Sequence, residues 1–154
     1  MALQTFDPKA LIITAAGSTI LGFAETQVAI SRPDPMWNSQ VGALGDTMRV
    51  KTNNKTTDVV FTLQQSSPSL AFLDAIAFAD ESELSNGVFT LEIKYVGGTE
   101  AQVLLFTAEA YIEKKPDATW GNTPQDREFT IKCADAEYNL GATSQNNHDF
   151  PVTP

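Results

Sequence analysis

Cysteine and histidine are almost absent: Cys133 and His148 are the single copies in 154 residues. A lone cysteine forms no intrachain disulfide, and without a CxxC pair or a Cys/His cluster the sequence offers no zinc site. A lone imidazole in a polar, proline-bearing tail is not held to the tolerance that a nucleophile and its base require, so a Ser–His or Cys–His couple is not expected. Basic residues are also scarce. Ten Lys and Arg face 19 Asp and Glu, a net charge of −9, which opposes any broad grip on phosphate backbones because that affinity comes from cations displacing counterions. No stretch approaches the roughly 20 apolar residues of a membrane helix, and residues 1–9 lack the basic start and apolar run of a secretory signal. Synthesis and use in a cytoplasm-like compartment, away from membranes, is the expectation.

What remains for chemistry is thin. The string Ala15-Ala16-Gly17-Ser18-Thr19 lacks the Lys of a phosphate loop and reads as a hairpin turn. The densest carboxylates, Asp80, Glu81 and Glu83, sit at the end of a helical stretch, where a solvated face is the simpler reading. No enzyme, cofactor or metal is expected.

Alternation of period two is the strongest positive signal. Val59, Phe61 and Leu63 share a face opposite Asp58, Thr62 and Gln64; Phe89, Leu91, Ile93 and Tyr95 oppose Thr90, Glu92 and Lys94; Phe129, Ile131 and Cys133 oppose Glu128, Thr130 and Lys132. Each is a half-buried strand, with Cys133 inward. Gly97-Gly98 supplies the positive φ of a tight hairpin, so the strands flanking it should pair antiparallel. Residues 101–115 place Leu104, Phe106, Ala108, Ala110 and Ile112 on one face, with Val103 and Leu105 on the other. Such a strand is either central in a sandwich or covered by another subunit. Shorter strands are expected over 11–14, 19–23, 27–31, 38–41 and 47–51.

One segment has the helical period. Ser67-Pro68-Ser69 offers a cap, Phe72, Leu73 and Ile76 form a stripe, and Asn86-Gly87 stops the chain. Phe78 falls on the polar side of that helix, to be covered either by a loop of the same chain or by a second subunit. By this pattern the chain reads as mainly β, about eight strands with one helix. It forms a single domain over residues 1–140, followed by a polar arm over 141–154 that contains His148. The Pro33-Asp34-Pro35-Met36-Trp37 stretch reads as a second, proline-stiffened arm.

Several strings, taken in order, resemble tail tube proteins of contractile-tailed bacteriophages. They are Asp7-Pro8-Lys9, Gly22-Phe23-Ala24, Ile30-Ser31-Arg32, Val41-Gly42-Ala43, Thr62 to Ser69, Ala110-Tyr111-Ile112, Lys115-Pro116-Asp117, Trp120-Gly121 and Arg127-Glu128-Phe129. The resemblance spans most of residues 7–130, and the type VI secretion tube protein is similar in fold. It implies a virion structural subunit of two packed antiparallel sheets, a sandwich- or barrel-like fold with one flanking α-helix, that closes into hexameric rings stacked as a tube within a contractile sheath. The sheath, baseplate and tail terminator proteins would be its partners, with assembly in the host cytoplasm.

The resemblance also implies that strands after the helix line the lumen, which makes Glu92, Lys94, Glu109 and Glu113 the candidate wall residues. Residues 74–117 hold nine acids and three bases, a net of −6, suited to DNA passing during ejection without being bound. Trp37, Phe78, Val103 and Leu105 are the candidate subunit-interface residues. The rival reading is a monomeric β-sandwich, such as a virion decoration or adhesion module.

Overall fold

The protein is described by a computed structural model over residues 6–82, 87–97 and 102–140. Among these residues it is mainly β, as the alternation predicts, with the two antiparallel sheets and one α-helix that the resemblance implies. In chain order the strands are β1 (Leu11–Ala15), β2 (Ser18–Thr19), β3 (Phe23–Ser31), β4 (Trp37–Val41), β5 (Thr47–Lys51) and β6 (Thr57–Leu63). After helix α1 (Ser69–Ser82) come β7 (Phe89–Tyr95), β8 (Gln102–Lys114), β9 (Arg127–Cys133) and β10 (Glu137–Tyr138). The strands divide unequally. Eight form one sheet in the order β2-β1-β7-β8-β9-β6-β3, with β10 added on β8, whereas β4 and β5 pair only with each other.

The three clearest alternations behave as expected. In β6, β7 and β9 every second residue is buried. Phe61, Leu91, Ile93, Tyr95, Phe129 and Ile131 join Ile13 of β1 and Leu73 of α1 in one core. Cys133 is fully buried there, and burial, with a smaller contribution from the Asp58 carboxylate, pushes its thiol up to about 11. Strands β7 and β8 pair antiparallel, although Gly98 of the expected turn lies outside the described residues. So do Glu83, Asn86, His148 and the whole 141–154 tail.

Turn chemistry accounts for the first hairpin. Ala16 and Gly17 both have positive φ, 51° and 83°, and join β1 to β2 with Ala15 opposite Ser18, a two-residue turn whose twist matches its strands. The strand expected over 19–23 is instead interrupted. Gly22 has φ +77°, and a Cβ there would lie 2.7 Å from the Ser67 side chain. The break is latched to the start of the helix: the Ser67 hydroxyl donates to the Leu21 carbonyl, the Leu21 N–H donates to Ser69 Oγ at 2.9 Å, and the Gln64 N–H donates to the Gly22 carbonyl at 2.8 Å. Ser67 Oγ also accepts from the Ser69 N–H at 3.2 Å, the cap expected of a serine preceding a helix. Ser69, Leu73 and Ala77 are the buried residues of α1, one stripe at a spacing of four.

Strand β8 departs from the reading of its faces. Its register against β7 shifts twice, between Ile93 and Lys94 and between Phe89 and Leu91, and against β9 once more near Lys114. Each extra residue reverses the side on which its successors fall. Leu105, expected on the outer face, is therefore fully buried opposite Ile93, while Phe106, expected in the core, is 48% exposed opposite Glu92. Leu104, expected in the core, is buried there beside Leu105 at the bulge, and Thr107 and Ala110 complete the buried set.

Candidate assembly interface

The outer face of the large sheet carries the expected wall residues. Glu92 and Lys94 lie on the outer side of β7, where their side chains pair at 2.8 Å. Glu113 reaches Lys132 of β9 at 3.6 Å, and Lys132 lies 3.9 Å from Asp58 of β6. Glu109 is exposed near the β8 bulge; its N–H donates to Thr107 Oγ1 at 3.2 Å and its carbonyl accepts from the Ala134 N–H at 3.0 Å. Lysines therefore offset part of the wall's negative charge locally. Val103 and Phe106 also emerge on this face, each about half exposed.

Phe78 stands 67% exposed on α1, so no loop among the described residues covers it. Leu105 belongs to the core and offers nothing to a partner in the folded subunit. Trp37 opens β4 with its ring beneath the Arg49 guanidinium at 4.0 Å, a cation–π contact that fixes the indole while leaving it partly exposed.

Trp37 is one of ten residues in a wholly exposed hairpin. All five residues of β4 and all five of β5 face solvent, including Trp37, Val41, Met48 and Val50, and Leu44 at the turn is 94% exposed. The turn is well formed: the Gly42 N–H donates to Asp46, the Gly45 N–H donates to Gly42, and Gly45 takes φ +92°. Its root is clamped. Arg32 donates from Nη2 to the Ala136 carbonyl at 2.6 Å and lies over the Tyr138 ring at 5.1 Å, while Lys55 pairs with Glu137. That pairing holds the Glu137 carboxyl below, and the Lys55 ammonium above, its ordinary range. A two-stranded ribbon with apolar side chains on show is marginal alone in water, and such a cluster of exposed apolar groups marks a binding surface.

A second surface was not foreseen. Between α1 and the segment following β8 lies a groove of about 440 Å³ whose apolar lining includes Leu70, Pro116, Trp120 and Phe129. It shares Lys115, Pro116 and Arg127 with a polar cleft of about 430 Å³ that includes Lys114, Asp117, Asp126 and Glu128. Arg127 builds this region: buried, it donates to the Gln125 carbonyl at 3.1 Å and the Thr119 carbonyl at 3.0 Å and lies 5.4 Å from the Trp120 ring centre. Lys115 ties the same segment to Asp74 of α1 at 2.6 Å. The one available signal was parity, since Arg127 precedes Phe129, Ile131 and Cys133 on the inward face.

Among the described residues no cluster of three or more His, Cys, Asp or Glu is placed to hold a metal, and no helix is long and apolar enough to cross a membrane. The fold is shared with chains in solved assemblies of contractile injection systems. A chain in the sheath–tube complex of the extracellular contractile injection system PVC, in its extended state, superimposes with a TM-score of 0.59 at 12% identity, over 88% of this chain and 92% of that one. A chain in the tube-terminating cap of the anti-feeding prophage gives 0.56 at 14% identity, over 92% and 95%. One in the PVC sheath/tube terminator gives 0.55 at 11%, over 87% and 96%. No protein-family model and no curated protein sequence matches the chain.

Proposed function

We propose that this protein is a structural, non-enzymatic subunit of the tube of a contractile tail or injection machine. The observation that carries the reading is the β4–β5 ribbon, ten exposed strand residues with apolar side chains, on a fold shared with chains of tube, cap and terminator assemblies. An isolated ribbon of this kind gains stability by lying against another subunit. In this reading subunits close into hexameric rings, the rings stack, and Trp37, Phe78 and Val103 take part in contacts between copies. The sheath surrounds the tube, and baseplate and terminator proteins bound its ends. Glu92, Lys94, Glu109 and Glu113 line the bore, through which DNA slides unbound in a phage virion assembled in the host cytoplasm.

Negative-stain imaging of concentrated protein, together with light scattering, tests the proposal: rings or hollow tubes of uniform diameter are expected. A strictly monomeric mass at high concentration, with no tubes, would overturn it in favour of a monomeric binding module. Helical reconstruction of such tubes reads the wall directly, and Glu92 and Glu109 on the outer surface would refute the bore assignment.

A further inference from the structure

The two surfaces lie at opposite ends of the same strands. The ribbon leaves β3 and returns to β6 where Ser31 pairs with Asp58. At the other end, where Leu63 pairs with Arg127, lie the apolar groove and the polar cleft. Five residue steps along β6, roughly 17 Å, separate them. An arm at one end and a recess at the other cannot satisfy each other within one copy, but they fit head to tail between copies.

The balance of their unpaired, exposed charges also differs. Residues 32–56 hold four of the ten bases and only two acids, a net of +2 in a chain of −9. Arg49 and Lys51 on the exposed strand β5 have no acidic partner among the described residues, Arg49 resting on Trp37 instead. Around the recess the exposed Asp117, Asp126 and Glu128 likewise have no cationic partner among the described residues. Of the cations that line the cleft with them, Lys115 is taken by Asp74 and Arg127 donates to two backbone carbonyls, which leaves Lys114 against three carboxylates. The apolar features match too: Leu44 and Met48 of the ribbon are exposed at one end, and the groove beside Trp120 is open at the other.

We infer that the recess between α1 and the 115–126 segment is the receptor for the β4–β5 ribbon of a second copy of this chain. Arg49 and Lys51 are set against Asp117, Asp126 and Glu128, and the ribbon's apolar side chains enter the groove beside Trp120. This rests on the tube reading and adds to it the surface on which each ribbon seats.

Charge reversal tests it, because all four positions used are exposed and the isolated subunit should melt as the wild type does. Arg49→Glu with Lys51→Glu, and separately Asp126→Lys with Glu128→Lys, should each lower the yield of sedimentable assembly at least about ten-fold. The chain carrying all four changes restores complementarity with its signs exchanged. It should assemble within about three-fold of the wild type, yet fail to extend wild-type assemblies. If the four-fold variant stays as deficient as the pairs while the wild type assembles, or if the Asp126/Glu128 pair alone changes nothing, the receptor assignment is wrong and the tube reading stands. A wild-type chain that never self-associates removes both.

Discussion

Replacing Leu105 and Val103 separately by Ala turns the β8 bulges into a measurement. The two residues lie two positions apart, where uninterrupted alternation would give them the same environment, yet Leu105 is fully buried opposite Ile93 and Val103 is half exposed opposite Lys94. Leu105→Ala removes buried carbons and leaves a cavity that close-packed neighbours refill only in part, so it should cost about 2–5 kcal/mol. Val103→Ala removes two half-solvated methyl groups without opening a cavity, and about 0.5–1 kcal/mol is expected from the apolar area it still covers. In a chain of this size a kilocalorie corresponds to roughly 2–4 °C in melting temperature. Leu105→Ala should therefore lower the melting point of isolated subunits by about 5–15 °C, and Val103→Ala by no more than about 4 °C. Urea titration should agree, with midpoints about 1–2 M apart if the slope is near 2 kcal/mol/M. Equal losses at the two positions would mean that Leu105 does not belong to the buried set of β8 with Leu104, Thr107 and Ala110.

Three further outcomes are expected. Gly22→Ala should destabilise by about 2–4 kcal/mol, positive-φ strain plus a clash with Ser67, whereas Gly17→Ala, with open space around it, should show only about 1–2 kcal/mol of strain; equal urea midpoints would disprove the latch. Trp37→Ala should leave the subunit's melting within about 1 kcal/mol of wild type while lowering tube yield at least about ten-fold, and calorimetry beside sedimentation separates the two effects. The Cys133 thiol, raised from an ordinary 9.0 to about 11, favours the folded state fully below pH 9 and loses that contribution as pH climbs towards 11, because the unfolded thiol ionises first; the difference in urea midpoint between wild type and Cys133→Ala should be flat below pH 9 and fall above it.

Strands β6, β7 and β9 were legible because each is seven residues long with an unbroken period of two. β8 was not, since Val103-Leu104-Leu105-Phe106 is apolar throughout and contains no phase information; only its register against neighbouring strands reveals where the extra residues lie. The strands of the ribbon were visible, but not their isolation, because Val41, Met48 and Val50 look like the inward residues of any half-buried strand. The break at Gly22 was hidden for the opposite reason. Its neighbours Ile20, Leu21 and Phe23 are good strand formers, and the Ser67 contact that needs the glycine is 45 positions away. The recess escaped because Arg127, a charged residue at the mouth of a strand, reads as solvent-facing until its two carbonyl acceptors are seen.

The rooting of the ribbon at one end of β6 has a consequence for how a polymer of this chain would begin and stop. Head-to-tail stacking leaves a filament with two chemically different faces, one presenting spare basic ribbons and the other presenting vacant acidic recesses. No single stopper can serve both. The protein that closes the first face must offer a recess and need not carry a ribbon, while the one that closes the second must offer a ribbon-like wedge and need not carry a recess. In the head-to-tail reading the polarity of the polymer follows from the asymmetry of one protomer, without any template.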